Sequence, residues 1–359
     1  MRVLHVDTAR DWRGGQNQVF LTARGMAARG HEVVLACRAG GALESRARAV
    51  GLPVRTLAFG RGDLSPTSAR GLARVLREVR PDVVQLHDPH GVAAGLLASR
   101  LSRHKGAVVA ARRVDFHLRG PLSRWKYVAH HRVIAVSRAI VSVLEEDGVP
   151  RDRIRLVYEG VPDRRPEPGG REALASLGVP DGCPVVGNVA ALADHKDHAT
   201  LIEAARHVLA RVPEARFVVV GDGELRGRIE ARVRDLGLGG RVILAGFRDD
   251  LDRLMPAFTV FCLSSHMEGL GTSLLDAMCF ARAIVATAAG GIPEAVEDGI
   301  NGRVVPVRQP EALAEALVEV LSDVRRREVM GEAGRRRFEE RFTADRMVEE
   351  TLRVYAEVV

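Results

Sequence analysis

The segment EGLGTSLLDAMCFARAIVATAAGGIPE, residues 268–294, decides the fold because a Gly-rich turn, a helix, an apolar strand and a Gly-Gly turn follow one another in it. Gly269 and Gly271 allow a close backbone approach, and we expect Thr272 and Ser273 to cap the helix. The free N–H groups of the first helical turn would face an anion such as a phosphate.

Two carboxylates flank this predicted anion site. Glu268 lies on the loop before the helix, and Asp276 lies about one turn inside it and near the same end. One carboxylate would hold sugar hydroxyls and the other a ribose, with a diphosphate between them at the helix N-terminus. Taken alone, the segment fits an ordinary capped helix with a solvated glutamate in front of it equally well.

The rest of the chain repeats a pattern of strand, helix and strand. Short β-branched runs alternate with Ala-, Arg- and Leu-rich stretches of helical periodicity, which predicts an α/β protein made of two doubly wound domains. In the first half these runs are RVLHV, HEVVLAC, PVRTLA, DVVQLH, AVVAAR and RVIAVS. In the second half they are PVVGNV, ARFVVVG, RVILAG, VFCLSS, AIVATA and GRVVPV.

Composition supports two soluble domains. The 359 residues suit two cores, 46% of them are apolar, and no apolar run reaches the roughly 18 residues of a spanning helix. The N-terminus reads as a strand and not as a signal peptide, and Pro162–Glu172 reads as a linker. Four isolated cysteines predict buried thiols in a reducing compartment, namely Cys37, Cys183, Cys262 and Cys279.

The segment 268–294 resembles the retaining GT-B glycosyltransferases of family 4, the glycosyl transferases group 1. Their Glu-x7-Glu element is matched by Glu268 and Asp276, with Asp in place of the second Glu, and their GG-x-x-E element by Gly290, Gly291 and Glu294. The resemblance implies two Rossmann-like domains that face each other across a cleft. These would be an acceptor domain at 1–165, on which a helix at 342–359 packs back, and a donor domain at 166–341.

The resemblance also implies the reaction. We expect a metal-independent, retaining enzyme of hexosyltransferase type that moves a sugar from a nucleotide diphosphate sugar, a UDP- or GDP-sugar, to a glycan or lipid-linked glycan in polysaccharide or lipopolysaccharide synthesis. No cofactor is expected. A nonhydrolysing sugar-nucleotide epimerase and an inactive nucleotide-sugar-binding subunit are the alternatives, and acceptor dependence and donor turnover distinguish them.

In the donor domain, the resemblance assigns Glu268 to the donor sugar, Asp276 to the ribose and Lys196 to the leaving phosphate. The family Arg that usually precedes this Lys is replaced by Ala191. Since charge develops on the departing phosphate, Lys196 carries more of the stabilisation. The remaining donor-binding residues implied by the resemblance are Gly15, Gly221, Phe247, Arg248, Gly269, Leu270, Gly271 and Thr272. Asp250 to Asp252 has DxD spacing, but we interpret it as a capping cluster at a helix start and not as a metal site.

On the acceptor side, Gly14 and Gly15 match the family's N-terminal Gly-Gly loop. The family's acceptor-side His falls near Asp115, and His117 lies two residues later, so both are candidate catalytic residues. His87 and Arg113 are further acceptor-side candidates. The family's Asn-Gly-Val loop stands here as Glu159-Gly160-Val161, where we expect the shape to persist and the polar contact to change.

A basic segment lies in the first half. From Arg100 to Arg138 there is a single acid, Asp115, and Phe116, Trp125 and Tyr127 are interleaved with the basic residues of a chain of net charge +7. No nucleic-acid recognition motif accompanies it. We therefore expect a cytoplasmic protein that docks peripherally on the anionic inner face of the membrane, although a solvated Arg-rich face explains the segment equally well.

Overall fold

The computed structural model of the chain describes residues 1–60, 62 and 65–359. It divides into two compact units: unit 1 comprises Met1–Val161 and Ala344–Val359, and unit 2 comprises Pro162–Thr343. Residues 162–165, assigned to the first domain from the sequence, therefore belong to unit 2. The same is true of residues 342 and 343, which were assigned to the returning helix.

Unit 1 contains a seven-stranded sheet in the order β3-β2-β1-β4-β5-β6-β7, and every pair of neighbours is parallel. Each strand predicted in the first half is present; β7 was not predicted. The strands are β1 Arg2–Asp7, β2 Glu32–Arg38, β3 Val54–Leu57, β4 Val83–Leu86, β5 Ala107–Arg112, β6 Arg132–Ala135 and β7 Ile154–Leu156.

Helices cover both faces of this sheet because parallel strands need crossover connections. In chain order they are α1 Gly14–Ala28, α2 Ala42–Ala49, α3 Pro66–Val79, α4 Pro89–Ser102, α5 Gly120–Val128 and α6 Arg138–Glu146, with a 3-10 turn at Arg151–Arg153. The sheet order reverses between β1 and β4, so this is the switch point at which open α/β sheets bind ligands.

The last helix of the chain belongs to unit 1. It is α15, Ala344–Ala356, and its residues Met347, Val354 and Tyr355 are buried in one core with strand residues such as Val3 and Leu35. The Tyr355 hydroxyl donates a hydrogen bond to the side-chain oxygen of Gln85, which is itself buried.

Unit 2 contains a six-stranded parallel sheet in the order β10-β9-β8-β11-β12-β13, and its order reverses between β8 and β11. Each strand predicted in the second half is present. The strands are β8 Val185–Val189, β9 Arg216–Val220, β10 Val242–Gly246, β11 Val260–Leu263, β12 Ile284–Thr287 and β13 Gly302–Val305.

The helices of unit 2 also lie on both faces of its sheet. They are α7 Gly170–Ser176, α8 His198–Arg211, α9 Arg226–Asp235, α10 Leu251–Ala257, α11 Thr272–Cys279, α12 Ile292–Ala295, α13 Pro310–Ser322 and α14 Val324–Arg341, with a 3-10 turn at Asp194–Lys196. The core beneath them is apolar and includes Phe217, Val219, Leu201 and Leu317.

The predicted linker is bound to unit 2 and is not a free connection. Arg164 pairs with Asp252 and Asp276, and the guanidinium of Arg335 holds Asp163 through two hydrogen bonds of 2.7 and 2.9 Å. Its last residues already form the first turn of α7. Proline and glycine density predicted a linker there, and its charged side chains anchor it to unit 2.

The sequence predicted buried cysteines and no membrane-spanning helix. Cys37, Cys262 and Cys279 are buried free thiols, whereas Cys183 is only half-buried, so the prediction was wrong for that residue. No helix in the described part of the chain has the length and apolarity needed to cross a membrane.

Candidate functional site

Lys196 and Glu268 meet at the switch point of the second sheet. Lys196 ends the 3-10 turn after β8, and Glu268 lies in the loop after β11, so each follows one of the two strands between which the order reverses. The Lys196 ammonium donates to Oε2 of Glu268, and both side chains are largely buried, with 17% and 13% exposed. The two residues predicted from the sequence to act together are thus in contact.

Hydrogen bonds fix the two loops that carry this pair. The Ser264 hydroxyl donates to the backbone oxygen of Lys196 at 3.0 Å, which joins the loop after β8 to the end of β11. The Ser265 hydroxyl donates to the Glu268 carboxylate at 3.1 Å. The backbone N–H of Gly291 donates to the backbone oxygen of Glu268 at 3.1 Å. The Gly-Gly turn therefore supports the loop of the first carboxylate.

Helix α11 begins differently from the sequence prediction. Its N-cap is Gly271, in the left-handed conformation with φ 88°, and neither Thr272 nor Ser273 caps it. The left-handed backbone angle favours glycine, and a Cβ at Gly271 would lie 2.8 Å from a methyl carbon of Leu274, whose side chain would have to move. Residues 269 and 270 are buried, and the Leu274 N–H donates to the Gly271 oxygen at 2.9 Å. The N–H groups of Thr272 and Ser273 come too early in the helix to have an intrahelical acceptor.

Asp276 lies on α11, where the side chain of Arg164 pairs with its Oδ1. Burial raises the pKa of the Asp276 carboxyl to about 6, while the Arg164 guanidinium opposes that shift and the Asp252 carboxylate adds to it. From the sequence, Asp276 was predicted to bind the ribose, but its partner Arg164 was not predicted. Arg164 lies in a segment whose composition is that of a linker, so it was not considered as a site residue.

The structure explains why position 221 is a glycine. Its φ is 142°, and a Cβ there would lie 1.9 Å from the backbone oxygen of Ala190. Its N–H donates to Gly246 at 2.8 Å, so the ends of β8, β9 and β10 are packed together at this glycine. Its predicted contact with a donor remains a prediction.

Phe247 and Arg248 follow β10. Phe247 is 62% exposed, and Arg248 forms a two-pronged ion pair with Asp250 at 2.8 and 2.6 Å. Asp250 occupies the N-cap position of α10, but its side chain does not cap, so the capping interpretation was wrong. The carboxylate of Asp252 accepts from Arg164 at 2.6 Å instead. Among the described residues, no group of three or more His, Cys, Asp or Glu side chains is placed to hold a metal ion.

In unit 1, Arg113 joins three loops at the carboxyl edge of the sheet. Its guanidinium donates to Glu159 at 3.0 Å and to both the backbone oxygen and Nδ1 of His87 at 3.2 Å. Its Cδ lies 4.0 Å from the point where a Cβ on Gly15 would stand, at the start of α1 after Gly14. Glu159, which replaces the family Asn, therefore has a new partner in Arg113.

His87 also contacts His5, and both side chains are buried. Nδ1 of His5 lies 2.9 Å from Nε2 of His87, and the two rings stack with centroids 5.1 Å apart. Burial and the charge of Arg113 lower both pKa values, that of His5 to about 3. Because arginine only donates, Nδ1 of His87 accepts, so its Nε2–H donates to His5. The sequence reading missed His5, which lies inside a strand.

Asp115 and His117 follow Arg113 in the loop between β5 and α5. His117 is exposed, its Nδ1 lies 3.1 Å from Asp147 at the end of α6, and its Nε2 lies 3.8 Å from Glu146. Asp115 lies half-buried in the loop between β5 and α5. The geometry therefore favours His87 and Arg113 over His117 as groups of the switch point.

Fewer side chains of the basic segment are exposed than the sequence suggested. Arg112, Lys126 and Tyr127 are buried, so they do not contribute to a surface patch. Trp125 is half-buried with the Arg100 guanidinium 5.1 Å above its ring. Phe116 remains 49% exposed.

Two family models account for most of the chain. The model of Glycosyltransferase Family 4 matches residues 12–165, and that of Glycosyl transferases group 1 matches residues 171–337. The first match covers the glycine loop and the His87 region of unit 1. The second covers Lys196, Glu268 and Asp276 in unit 2.

Similar proteins match the chain over all or most of its length. The chain is 28% identical to the lipopolysaccharide core biosynthesis glycosyltransferase LpsE of Rhizobium meliloti, with 99% of each chain covered. It is 32% identical to a 2-deoxystreptamine N-acetyl-D-glucosaminyltransferase of Streptomyces fradiae, over 71% of this chain and 66% of that protein. Among solved structures, Anabaena HepE in complex with UDP and glucose superposes with a TM-score of 0.88 at 21% identity, over 100% of both chains. Its two-domain GT-B fold is the fold of this chain.

Proposed function

Because the chain belongs to the glycosyl transferases group 1 family, we propose that it transfers a sugar from a nucleoside diphosphate sugar to an acceptor hydroxyl with retention of configuration. One observation carries the proposal. Lys196 and Glu268, a cation and a carboxylate from two different strand ends, are held in contact at the switch point of the second sheet. This is the position where open α/β sheets bind phosphorylated ligands.

The chemistry requires stabilisation of a departing diphosphate. As the bond between the anomeric carbon and the phosphate oxygen breaks, negative charge collects on the diphosphate. Lys196 and the N-terminal N–H groups of α11 supply positive charge for it. The acceptor oxygen bonds to the same face of the anomeric carbon, and its proton passes to the phosphate. No side-chain nucleophile enters this scheme.

Ala191 makes Lys196 more important than its family counterpart. The family Arg is absent, and Glu268 already pairs with Lys196, so the cation is held in place before a donor binds. Arg248, another cation after a strand of this sheet, is engaged by Asp250. We therefore expect Lys196 to be the principal side-chain cation for the leaving group.

Glu268 and Asp276 bind two other parts of the donor. Glu268 orients the sugar hydroxyls, and Asp276 holds the ribose from the start of α11. Phe247, which is exposed after β10, provides an apolar surface for the base. The first donors to test are UDP- and GDP-sugars.

The acceptor is a glycan or a lipid-linked glycan. The relative LpsE acts in lipopolysaccharide core biosynthesis by its name, which supports a cell-surface glycan as the product. Phe116 and Leu122 are exposed on either side of Arg119 at the start of α5, and this surface suits peripheral contact with the anionic cytoplasmic face of the membrane. Sedimentation with vesicles that contain or lack an anionic lipid tests that contact.

Nucleotide release tests the reaction. The purified chain is incubated with UDP-, GDP- and ADP-sugars, with and without a membrane glycolipid extract, and with excess chelator in a parallel series. We expect release from one donor, stimulation by the extract and no effect of the chelator. Glu268→Ala and Lys196→Ala should each remove most of the activity, while the exposed control Arg74→Gln should retain it.

Three results would contradict the proposal. Conversion of the donor sugar without acceptor would identify an epimerase. Donor binding without any release would identify an inactive binding subunit. Unchanged turnover in a folded Glu268→Ala variant would remove Glu268 from the reaction.

A further inference from the structure

A cavity of about 670 Å³ opens at the carboxyl edge of the first sheet. Loops after β1, β2, β3 and β4 line it, so it begins at the switch point of unit 1 and extends toward β3. The donor proposal above uses residues of unit 2 and does not use this cavity. Its volume falls within the range of small-molecule sites and suits one or two sugar rings.

The acid that lines this cavity is already satisfied. Asp88 accepts from the backbone N–H and the hydroxyl of Thr8, each at 2.7 Å, and from the backbone N–H groups of His90 and Gly91 at 3.1 and 3.0 Å. These donors fix it as the N-cap of α4 and direct its carboxylate at the first turn of that helix. Asp88 keeps its single negative charge in these contacts.

Two arginines, Arg10 and Arg38, line the same cavity. Nε and Nη1 of Arg38 donate to the backbone oxygens of Thr8 and Phe59 at 2.8 and 3.0 Å, which fixes the plane of the guanidinium. Arg10 is exposed. Within residues 1–60, 62 and 65–359, neither arginine has a carboxylate partner. The lining residues of the cavity thus include two arginines and one carboxylate, that of Asp88, which leaves one positive charge in excess.

Part of the cavity lining is an apolar wall that includes Leu57, Ala58, Phe59 and Pro89. The Arg38 guanidinium lies 5.8 Å from the centre of the Phe59 ring. An apolar wall accommodates the carbon face of a sugar ring, while the guanidinium groups favour an anionic substituent at its edge. Planar guanidinium groups bind phosphate and carboxylate with two parallel hydrogen bonds.

We propose that this cavity is an acceptor subsite for a saccharide that carries a phosphate or carboxylate group, with Arg10 and Arg38 as the residues that recognise the anion. The proposal rests on the proposed function, since it names the class of acceptor for that reaction. It predicts that an acidic or phosphorylated glycan is preferred over the same glycan without the charge.

The test is a titration of the full chain with four probes: glucose 6-phosphate, glucuronic acid, glucose and inorganic phosphate. We expect binding of at least one anionic sugar, and glucose should bind roughly tenfold or more weakly because it lacks the charge-assisted hydrogen bonds. Comparison of glucose 6-phosphate with glucuronic acid identifies which anion the site takes. Inorganic phosphate should bind more weakly than glucose 6-phosphate, since it does not contact the apolar wall.

Variants locate the site. Arg10→Gln should weaken the anionic sugar by about tenfold and leave glucose unchanged. Arg74→Gln removes the same charge from the exposed face of α3 outside the cavity and should change neither. The Arg38 side chain also donates to two backbone oxygens, so Arg38→Gln can disturb the fold. Arg38→Lys keeps the charge and serves as the check on folding.

Equal binding of glucose and glucose 6-phosphate would overturn the proposal, as would equal losses in Arg10→Gln and Arg74→Gln, or no binding of either anionic sugar. The titration requires no donor and no residue of unit 2. A Glu268→Ala chain should therefore bind the anionic sugar as the native chain does. If no anionic sugar binds but the nucleotide is still released, this proposal is wrong and the proposed function stands. Phosphatase treatment of the glycolipid extract should lower transfer if the anion is a phosphate.

Discussion

Arg164 and Asp276 form an ion pair within unit 2, and a second nitrogen of the same guanidinium contacts Asp252 at 2.6 Å. One arginine therefore lies between two carboxylates, and one of them is the group proposed to hold the ribose. Because the side chain of Asp is one methylene shorter than that of the family Glu, its orientation matters more. Arg164 fixes that orientation through Oδ1.

Arg164→Met should weaken donor binding at neutral pH by about tenfold, because the pKa of Asp276 would rise further beside Asp252 once the cation is removed. Affinity should recover partly at pH 8 to 9, where Asp276 is ionised again. Calorimetric titration of the donor against pH measures both effects. Arg165→Met, at the exposed neighbouring position, is the control. Equal losses in the two variants at every pH would exclude a specific role for Arg164.

Donor affinity of the native chain should fall as the pH is lowered through about 6. The pKa of the Asp276 carboxyl is raised to about 6, so the group is ionised above that pH and protonated below it, where it loses its charge for Arg164. Asp276→Asn should bind weakly and with little pH dependence between 5 and 8. The intact sugar nucleotide is the right ligand, since the terminal phosphate of a free nucleotide titrates in the same range. A flat native profile would contradict this role.

Gly221→Ala should destabilise unit 2 by about 2–4 kcal/mol, because the added Cβ would lie 1.9 Å from the Ala190 oxygen at a φ of 142°. Gly227, in the first turn of α9, has open space around its Cβ position. Gly227→Ala should therefore stay within about 1 kcal/mol of the native chain. Urea unfolding of the two variants provides the comparison, and equal stabilities would show that the loop relaxes freely.

Tyr355→Phe should cost about 1–3 kcal/mol, because Gln85 would lose a buried hydrogen-bond donor. The double variant Tyr355→Phe/Gln85→Leu removes both polar groups and should recover most of that loss. Chemical unfolding followed by a probe in unit 1 measures both. If the double variant is no more stable than the single one, the hydrogen bond is not the source of the loss.

Strand positions could be predicted because buried parallel strands are continuous apolar runs. The exception, β7, has only three residues, and an arginine stands in the middle of Ile154–Leu156, so no apolar run marks it. The capping of the first turn of α11 was predicted wrongly for a different reason. Thr272 and Ser273 have the right side chains for capping, but the left-handed backbone of Gly271 supplies the N-cap.

Parts of the candidate site were predictable from the resemblance to the family, which assigned Glu268 and Lys196. The two residues lie 72 positions apart in the chain, and each follows one of the two strands that meet at the switch point. Arg164 and His5 were not predictable. Their partners, Asp276 and His87, lie 112 and 82 residues away in the chain, and no local pattern encodes such a pairing.

The division of the chain determines the order in which its units can be completed. Residues 344–359 belong to unit 1, and the backbone N–H of Ala344 donates to the oxygen of Val161 at 2.9 Å, so unit 2 is inserted between two segments of unit 1. During translation, all of unit 2 is synthesised before Tyr355. The first-made unit is therefore the last to close its core, and a chain that is truncated after residue 343 contains a complete second unit joined to an open first one.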